Sequence, residues 1–175
     1  MAKKKEMASE KMCGVAVVVG SDSDMDVMRS CVEQLREFGI EPVVRIISAH
    51  RTPHIAADFA ETAESKGIRV IIAAAGMAAH LAGALAGRTM LPVIGVPLSS
   101  QSGLGGLDAL LSTVQMPAGV PVATMAIGKA GAKNAAIFAV QILALSDNNL
   151  RNKLAEFRKL QQEKVMEKDS TVQTS

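Results

Sequence analysis

An α/β fold with a three-layer, doubly wound parallel sheet follows from two patterns in this chain. Short continuous apolar runs recur, as expected of strands buried on both faces of a parallel sheet. Each is followed by a stretch of helical spacing, and strand–helix units of roughly 30 residues imply parallel strands joined by right-handed crossovers. A third observation sets the core chemistry. Hydrophobic residues make up 49% of the 175 residues but aromatics only 2%, with no Trp and no Tyr, so the core is built from Ala, Val, Ile, Leu and Met.

Val15–Val19 is the first strand and closes on Gly20-Ser21. Asp24 to Phe38 is the first helix, with Met28, Val32 and Leu35 on one face and Gly39 as its C-terminal cap. Val43–Ile47 is the second strand. Thr52 reads as an N-cap and Pro53 as a first-turn proline, so a helix runs from there to about Lys66 and ends at Gly67. Val70–Ala75 is the third strand, and a small-residue helix follows over Ala79–Gly87. Pro92–Pro97 is the fourth strand, and the Gly- and Ser-rich segment Leu98–Gly106 is either a lid or a plain connection. Leu107–Val114 is a short helix, Val120–Ile127 holds a fifth strand, and Gly128-Lys129-Ala130 turns into a helix over Gly131–Leu145. That helix is apolar almost all round, so it is expected to be buried, with a subunit interface as its cover. Ser146 or Asp147 caps a last amphipathic helix to about Glu167.

The length fits one domain. We place a single α/β domain over 13–167, with 1–12 and 168–175 as flexible termini. Net charge is +2, and part of the basic excess is Lys3-Lys4-Lys5. Without a basic face or aromatic platforms, nucleic acid is not an expected partner. Cys13 and Cys31 match no zinc or redox spacing and read as reduced thiols. With no apolar run of bilayer length and no signal-type segment, the expected setting is cytoplasmic, with no membrane partner.

Three strand-end loops carry the candidate chemistry, on the sheet edge where ligands of parallel α/β folds bind. In Gly20-Ser21-Asp22-Ser23-Asp24, free backbone N–H groups and the hydroxyls of Ser21 and Ser23 suit a phosphate or carboxylate, and Asp24 suits ribose hydroxyls. A plain helix cap, with Ser23 capping, accounts for the same residues. In Ser48-Ala49-His50-Arg51-Thr52-Pro53, His50 suits proton transfer near neutral pH, and Arg51 can grip a phosphate with two parallel hydrogen bonds. A backbone-satisfied His50 and a surface Arg51 are the plain alternatives. His54, one turn on, reads as a solvated residue. In Gly76-Met77-Ala78-Ala79-His80-Leu81, small residues let a ligand near the backbone, and His80 either contacts the ligand or locks the loop. No residues have metal-ligand spacing, and no Ser nucleophile elbow or dinucleotide fingerprint is present. The site reads as proton transfer with anion recognition and no cofactor.

These motifs, with Leu91-Pro92-Val93-Ile94-Gly95-Val96-Pro97, Gln115-Met116-Pro117 and Gly131-Ala132-x-Asn134-Ala135-Ala136, resemble the catalytic subunit family of phosphoribosylaminoimidazole carboxylase over about Val15 to Leu145. His50-Arg51-Thr52-Pro53 resembles the bacterial mutase branch, because the branch using free carbon dioxide typically has Lys after the histidine. The resemblance implies conversion of N5-carboxyaminoimidazole ribonucleotide to 4-carboxy-5-aminoimidazole ribonucleotide in purine synthesis, a flavodoxin-like sheet, and a homo-octamer whose C-terminal helix extends to neighbouring subunits. It also implies no metal or organic cofactor, His50 as the proton shuttle, and Ser21, Asp24 and Arg51 on the ribose phosphate. Ser23 is expected with that group, and Ser48, Gly76, Met77 and His80 with the base pocket. The chain departs from the family at Met77 and Ala82, where Gly and Pro are usual, at Met25, where Trp is common, and at Asp22. Direct carboxylation with free carbon dioxide, and a nucleotide-binding paralogue without catalysis, are the alternatives. A flavin module on the same sheet lacks the aromatics to flank its ring.

Overall fold

The computed structural model describes residues 14–100 and 103–173. Cys13, the expected N-terminal tail 1–12, and Gln101 and Ser102 of the loop read as lid or connection lie outside them. The elements run β1 (Val15–Val19), a 3-10 turn (Asp22–Asp24), α1 (Met25–Glu37), β2 (Val43–Ile46), α2 (Pro53–Thr62), a second 3-10 turn (Glu64–Lys66) and β3 (Val70–Gly76). They continue through α3 (Leu81–Ala86), β4 (Val93–Leu98), α4 (Leu107–Val114), β5 (Ala123–Thr124), α5 (Lys129–Leu143) and α6 (Asn148–Gln173). Every strand pairing is parallel, in the order β2-β1-β3-β4-β5.

The continuous apolar runs have the cause the sequence implies. Val15, Val17 and Val19 face a layer containing α1 and α5, with Met28, Leu35, Ala132 and Ala136. Ala16 and Val18 face the opposite layer, with Phe59 and Ala60 of α2 and Leu81 and Leu85 of α3. A strand covered on both faces alternates between two cores, so both phases of its period are apolar.

Several elements differ from their sequence readings. β5 is only two residues, because it is the edge strand and Pro121, just before it, has no N–H to offer a ladder. The α5 helix is covered largely from within the chain. Its small residues Ala132, Ala135, Ala136 and Ala139 are fully buried, and Phe138 and Leu143 pack partly buried against the same core. Small side chains let α1 and the sheet close on much of this helix, while Ile137, Phe138, Ile142 and Leu143 stay partly exposed on it. The last helix does not stop at Glu167 but runs to Gln173, through residues expected as a flexible tail. No Gly or Pro interrupts the chain there, and the hydroxyls of Ser170 and Thr171 donate back to the Glu167 carbonyl. Its start is capped by Asp147, whose Oδ1 accepts from the N–H groups of Asn149 and Leu150 at 2.8 and 3.1 Å.

Cys31 is buried in the α1 face of the core, and burial pushes its thiol pKa up to about 12. It is a packing residue and no nucleophile. Among the described residues, no helix is long and apolar enough to cross a membrane, and no group of three or more His, Cys, Asp and Glu is placed to hold a metal ion.

Candidate active site

The strand order reverses between β1 and β3, and there the loops leaving β1, β2 and β3 enclose a cavity of about 550 Å³. Ser21, Ser23, Asp24, Ser48, His50, Arg51, Gly76 and Met77 all line it, so eight of the sequence candidates converge although they span three separate loops. His80 does not line the cavity. It stands at the edge, with Nδ1 2.9 Å from Nε2 of His50 and the two rings edge to face. A bond between two imidazole nitrogens needs one protonated and one bare nitrogen, so a single proton occupies that gap. His54 is exposed and lies outside the cavity, as read from the sequence.

Thr52 does not cap α2 with its side chain. Its Oγ1 turns back instead, accepting from the Ser48 N–H at 3.0 Å and donating to the Ser48 carbonyl at 2.9 Å. The Thr52 N–H donates to the same carbonyl at 2.9 Å. Three bonds therefore pin the two ends of a five-residue turn and present His50 and Arg51 at its tip. The Ser48 hydroxyl accepts from the Arg51 backbone N–H at 3.1 Å and from Nε at 3.4 Å. Arg51 Nη2 reaches the Gly20 carbonyl at 3.4 Å, which carries the guanidinium over the β1 loop. Those two side-chain bonds use two of its five N–H donors, and Arg51 lines the cavity.

The β1 loop is organised from within. Asp24 Oδ2 accepts from the Ser21 N–H at 2.9 Å. The Ser23 hydroxyl donates to Ser21 Oγ at 3.1 Å rather than capping the helix, and Ser21 Oγ in turn donates to Asp22 at 2.9 Å. The Asp22 pKa is lowered by that Ser21 bond, by backbone N–H groups and, more weakly, by the Arg51 charge, so Asp22 is an anion facing the same cation a ligand would use. Asp24 is half-buried. Burial raises its pKa above 3.8 and outweighs the bonds from the Ser21 and Gly20 N–H groups, while the Asp22 charge adds to the rise.

A carboxyl whose pKa is raised by folding stabilises the fold below its ordinary pKa, and that contribution is lost as pH rises through the raised value. Asp24→Asn keeps an acceptor for the Ser21 N–H and removes the half-buried charge. The variant is expected to gain stability relative to the parent at pH 7 and to lose that advantage near pH 3. Urea unfolding of both proteins at the two pH values checks this, and an equal difference at both would remove the burial explanation.

The sequence reading missed two features. Met77 adopts φ +53°, a left-handed conformation that is disfavoured for a side chain with a Cβ by about 1–2 kcal/mol. The loop that carries it is the one where the resembled family has glycine. Ser100, at the end of β4, also lines the cavity. Its signal was its place as the fourth strand-end polar residue, masked by the Gly- and Ser-rich run around it.

The AIR carboxylase family profile matches residues 14–164. The chain belongs to the AIR carboxylase family. Among relatives of this AIR carboxylase family chain, the N5-carboxyaminoimidazole ribonucleotide mutase of Vibrio vulnificus is 50% identical over 152 residues, covering 87% of this chain and 94% of that one. The enzyme of the same name from Saccharolobus solfataricus is 55% identical over 143 residues, covering 82% and 89%. A crystal structure of Treponema denticola PurE superposes with a TM-score of 0.80 at 30% identity, over 90% of this chain and 96% of that one. The sheet is thus the flavodoxin-like sheet of this family, with its cavity at the β1/β3 switch point.

Proposed function

We infer that the chain isomerises N5-carboxyaminoimidazole ribonucleotide to 4-carboxy-5-aminoimidazole ribonucleotide, a step of purine synthesis. The observation that carries the reading is the convergence of His50, Arg51, Ser21 and Asp24 on one cavity, in a chain about half identical to enzymes named for that reaction. Arg51 and the Ser21–Ser23 loop bind the phosphate, Asp24 takes ribose hydroxyls, and Ser48 and the Gly76–Met77 loop flank the base.

The chemistry balances around one histidine. Imidazolium His50 gives its proton to the carbamate nitrogen. The nitrogen–carbon bond breaks, releasing carbon dioxide and leaving a free amine. The adjacent ring carbon attacks that carbon dioxide while the cavity holds it close, which supplies most of the advantage over free solution. His50 then removes the proton from the newly carboxylated ring carbon, which restores aromaticity and returns the imidazolium. His80, 2.9 Å away, orients the His50 ring between the two transfers.

A homo-octamer with C-terminal helices crossing to neighbouring subunits remains our reading of the assembly. It is supported by the exposed stripe Leu107, Leu111 and Val114 on α4, each about half exposed, and by the apolar Val165, Met166 and Val172 on the far end of α6. A cytosolic setting fits the buried free thiol of Cys31.

Turnover of the purified carbamate, followed by ultraviolet absorbance, tests the activity. Conversion without added bicarbonate is expected. Bicarbonate-dependent carboxylation of aminoimidazole ribonucleotide, with no turnover of the carbamate, would replace this reading with direct carboxylation.

A further inference from the structure

The β1 loop already holds an anion of its own. Each serine hydroxyl has one hydrogen to give. That of Ser23 goes to Ser21 Oγ at 3.1 Å, and that of Ser21 goes to the Asp22 carboxylate at 2.9 Å. The N–H groups of Ser23 and of Asp22 itself add to the hold on the same carboxylate. The Ser21 N–H is given to Asp24 Oδ2 at 2.9 Å. The donors that this loop offers an incoming phosphate are thus turned, directly or through one hydroxyl, onto the chain's own carboxylates.

Asp22 also opposes a ligand's charge. Ser21, Ser23 and Asp24 line the cavity, while Asp22 between them is exposed and does not. The Arg51 guanidinium lies over the same loop, with Nη2 3.4 Å from the Gly20 carbonyl, and its charge reaches the Asp22 carboxylate. Phosphate oxygens bind by accepting, and they bind best to charged and strongly polar donors. A phosphate seated between Arg51 and the two serines therefore needs both hydroxyls turned inward, away from Asp22. It then lies beside a carboxylate that has lost its main partner, and like charges repel.

We propose that Asp22 is a specificity-determining residue for the phosphate end of the substrate: it occupies the donors of the β1 loop in the unliganded protein and competes with the phosphate for them and for Arg51. The proposal rests on the isomerase reading above, which puts the phosphate at this loop. Asp22 thereby narrows the advantage of a ribonucleotide over the same ribonucleoside without its phosphate. The phosphate is untouched by the reaction, so the competition weakens substrate and product binding alike and favours product release.

The test measures binding of aminoimidazole ribonucleotide and of its dephosphorylated ribonucleoside to the parent, Asp22→Asn and Asp22→Glu by titration calorimetry. Asp22→Asn keeps an oxygen to accept from the Ser21 hydroxyl but removes the charge. It is expected to raise the preference for the ribonucleotide about fivefold, the difference between a hydrogen bond to a charged group and one to a neutral group. Asp22→Glu keeps the charge and is expected to show no such gain. A residue that only shapes the loop moves both ligands together and leaves their ratio fixed. An unchanged or lower ratio in Asp22→Asn overturns the proposal. A gain in Asp22→Glu as large as that in Asp22→Asn overturns it as well, because the charge is then not the cause. With a parent that binds the ribonucleotide and turns over the carbamate, either result sinks this inference alone. A parent that does neither sinks the isomerase reading with it.

Discussion

His50→Asn is expected to fold, to bind the ribonucleotide and to lose turnover by about 10²–10⁴-fold, the usual worth of a positioned general acid–base group. Asparagine is close to histidine in size and retains a polar atom toward His80, but it cannot take up and release a proton near neutral pH. His50 is exposed at the tip of the turn pinned by Ser48 and Thr52, and exposed substitutions of this kind usually change stability by about 0.5 kcal/mol or less. A loss of rate therefore reads on chemistry and not on folding. The measurement pairs ultraviolet-monitored turnover with a binding titration on the same preparation. Near-normal turnover in this variant would remove His50 from the mechanism and leave the cavity as a binding site.

Gly131→Ala is expected to be the most damaging small change outside the cavity. Gly131 sits in the first turn of α5, where the chain arriving from β5 passes against the helix. An added Cβ would overlap the carbonyl group of Ala126. That neighbour is backbone, held in a segment whose flanking groups are tied to β4, by Met125 N–H to the Gly95 carbonyl at 2.9 Å and Gly128 N–H to the Pro97 carbonyl at 2.9 Å. Neither side can yield without breaking those bonds or moving α5, whose Ala132, Ala135 and Ala136 are fully buried. A loss of about 4 kcal/mol falls in the range kept for severe core clashes. At this chain length, that lowers the melting temperature by about 8–16 °C. Thermal unfolding by circular dichroism checks it, and a shift under about 2 °C would show that the Ala126 segment yields to the added methyl group.

The two predictions differ in how far the sequence alone leads to them. His50 stands out in one dimension because a titratable ring and a cation adjoin at a strand end. Gly131 does not, since its need for hydrogen in place of a side chain comes from Ala126 folding back on it. The same division runs through the rest of the molecule. The strands β1, β3 and β4 are legible because burial on two faces makes every residue apolar, a pattern independent of what lies opposite. The helix ends at Gly39 and Gly67 are legible because left-handed caps select glycine, and both have φ near +80°. The length of α6 was not legible, because polar helix formers and tail residues have the same composition until side chains such as Ser170 and Thr171 bond back to the helix. The Thr52 side chain, read as a cap, is used instead to close the Ser48–Thr52 turn, since a hydroxyl with two nearby backbone partners follows the local geometry and not the helix rule.

By itself, the amino-acid order determined the parallel sheet, its succession of elements and the three loops from which Ser21, Ser23, Asp24, Ser48, His50, Arg51, Gly76, Met77 and His80 were drawn. These follow from local patterns of apolarity, turn chemistry and residue type, which need no knowledge of distant contacts. Only the tertiary structure decided that His80 meets His50 across 30 residues of chain, that Met77 takes a left-handed backbone at the cavity, and that the Arg51 guanidinium reaches the Gly20 carbonyl of the β1 loop. Each of these depends on how strands β1 to β4 are laid side by side, and that ordering is set by the packing of helices on both faces of the sheet, which no local stretch of sequence contains.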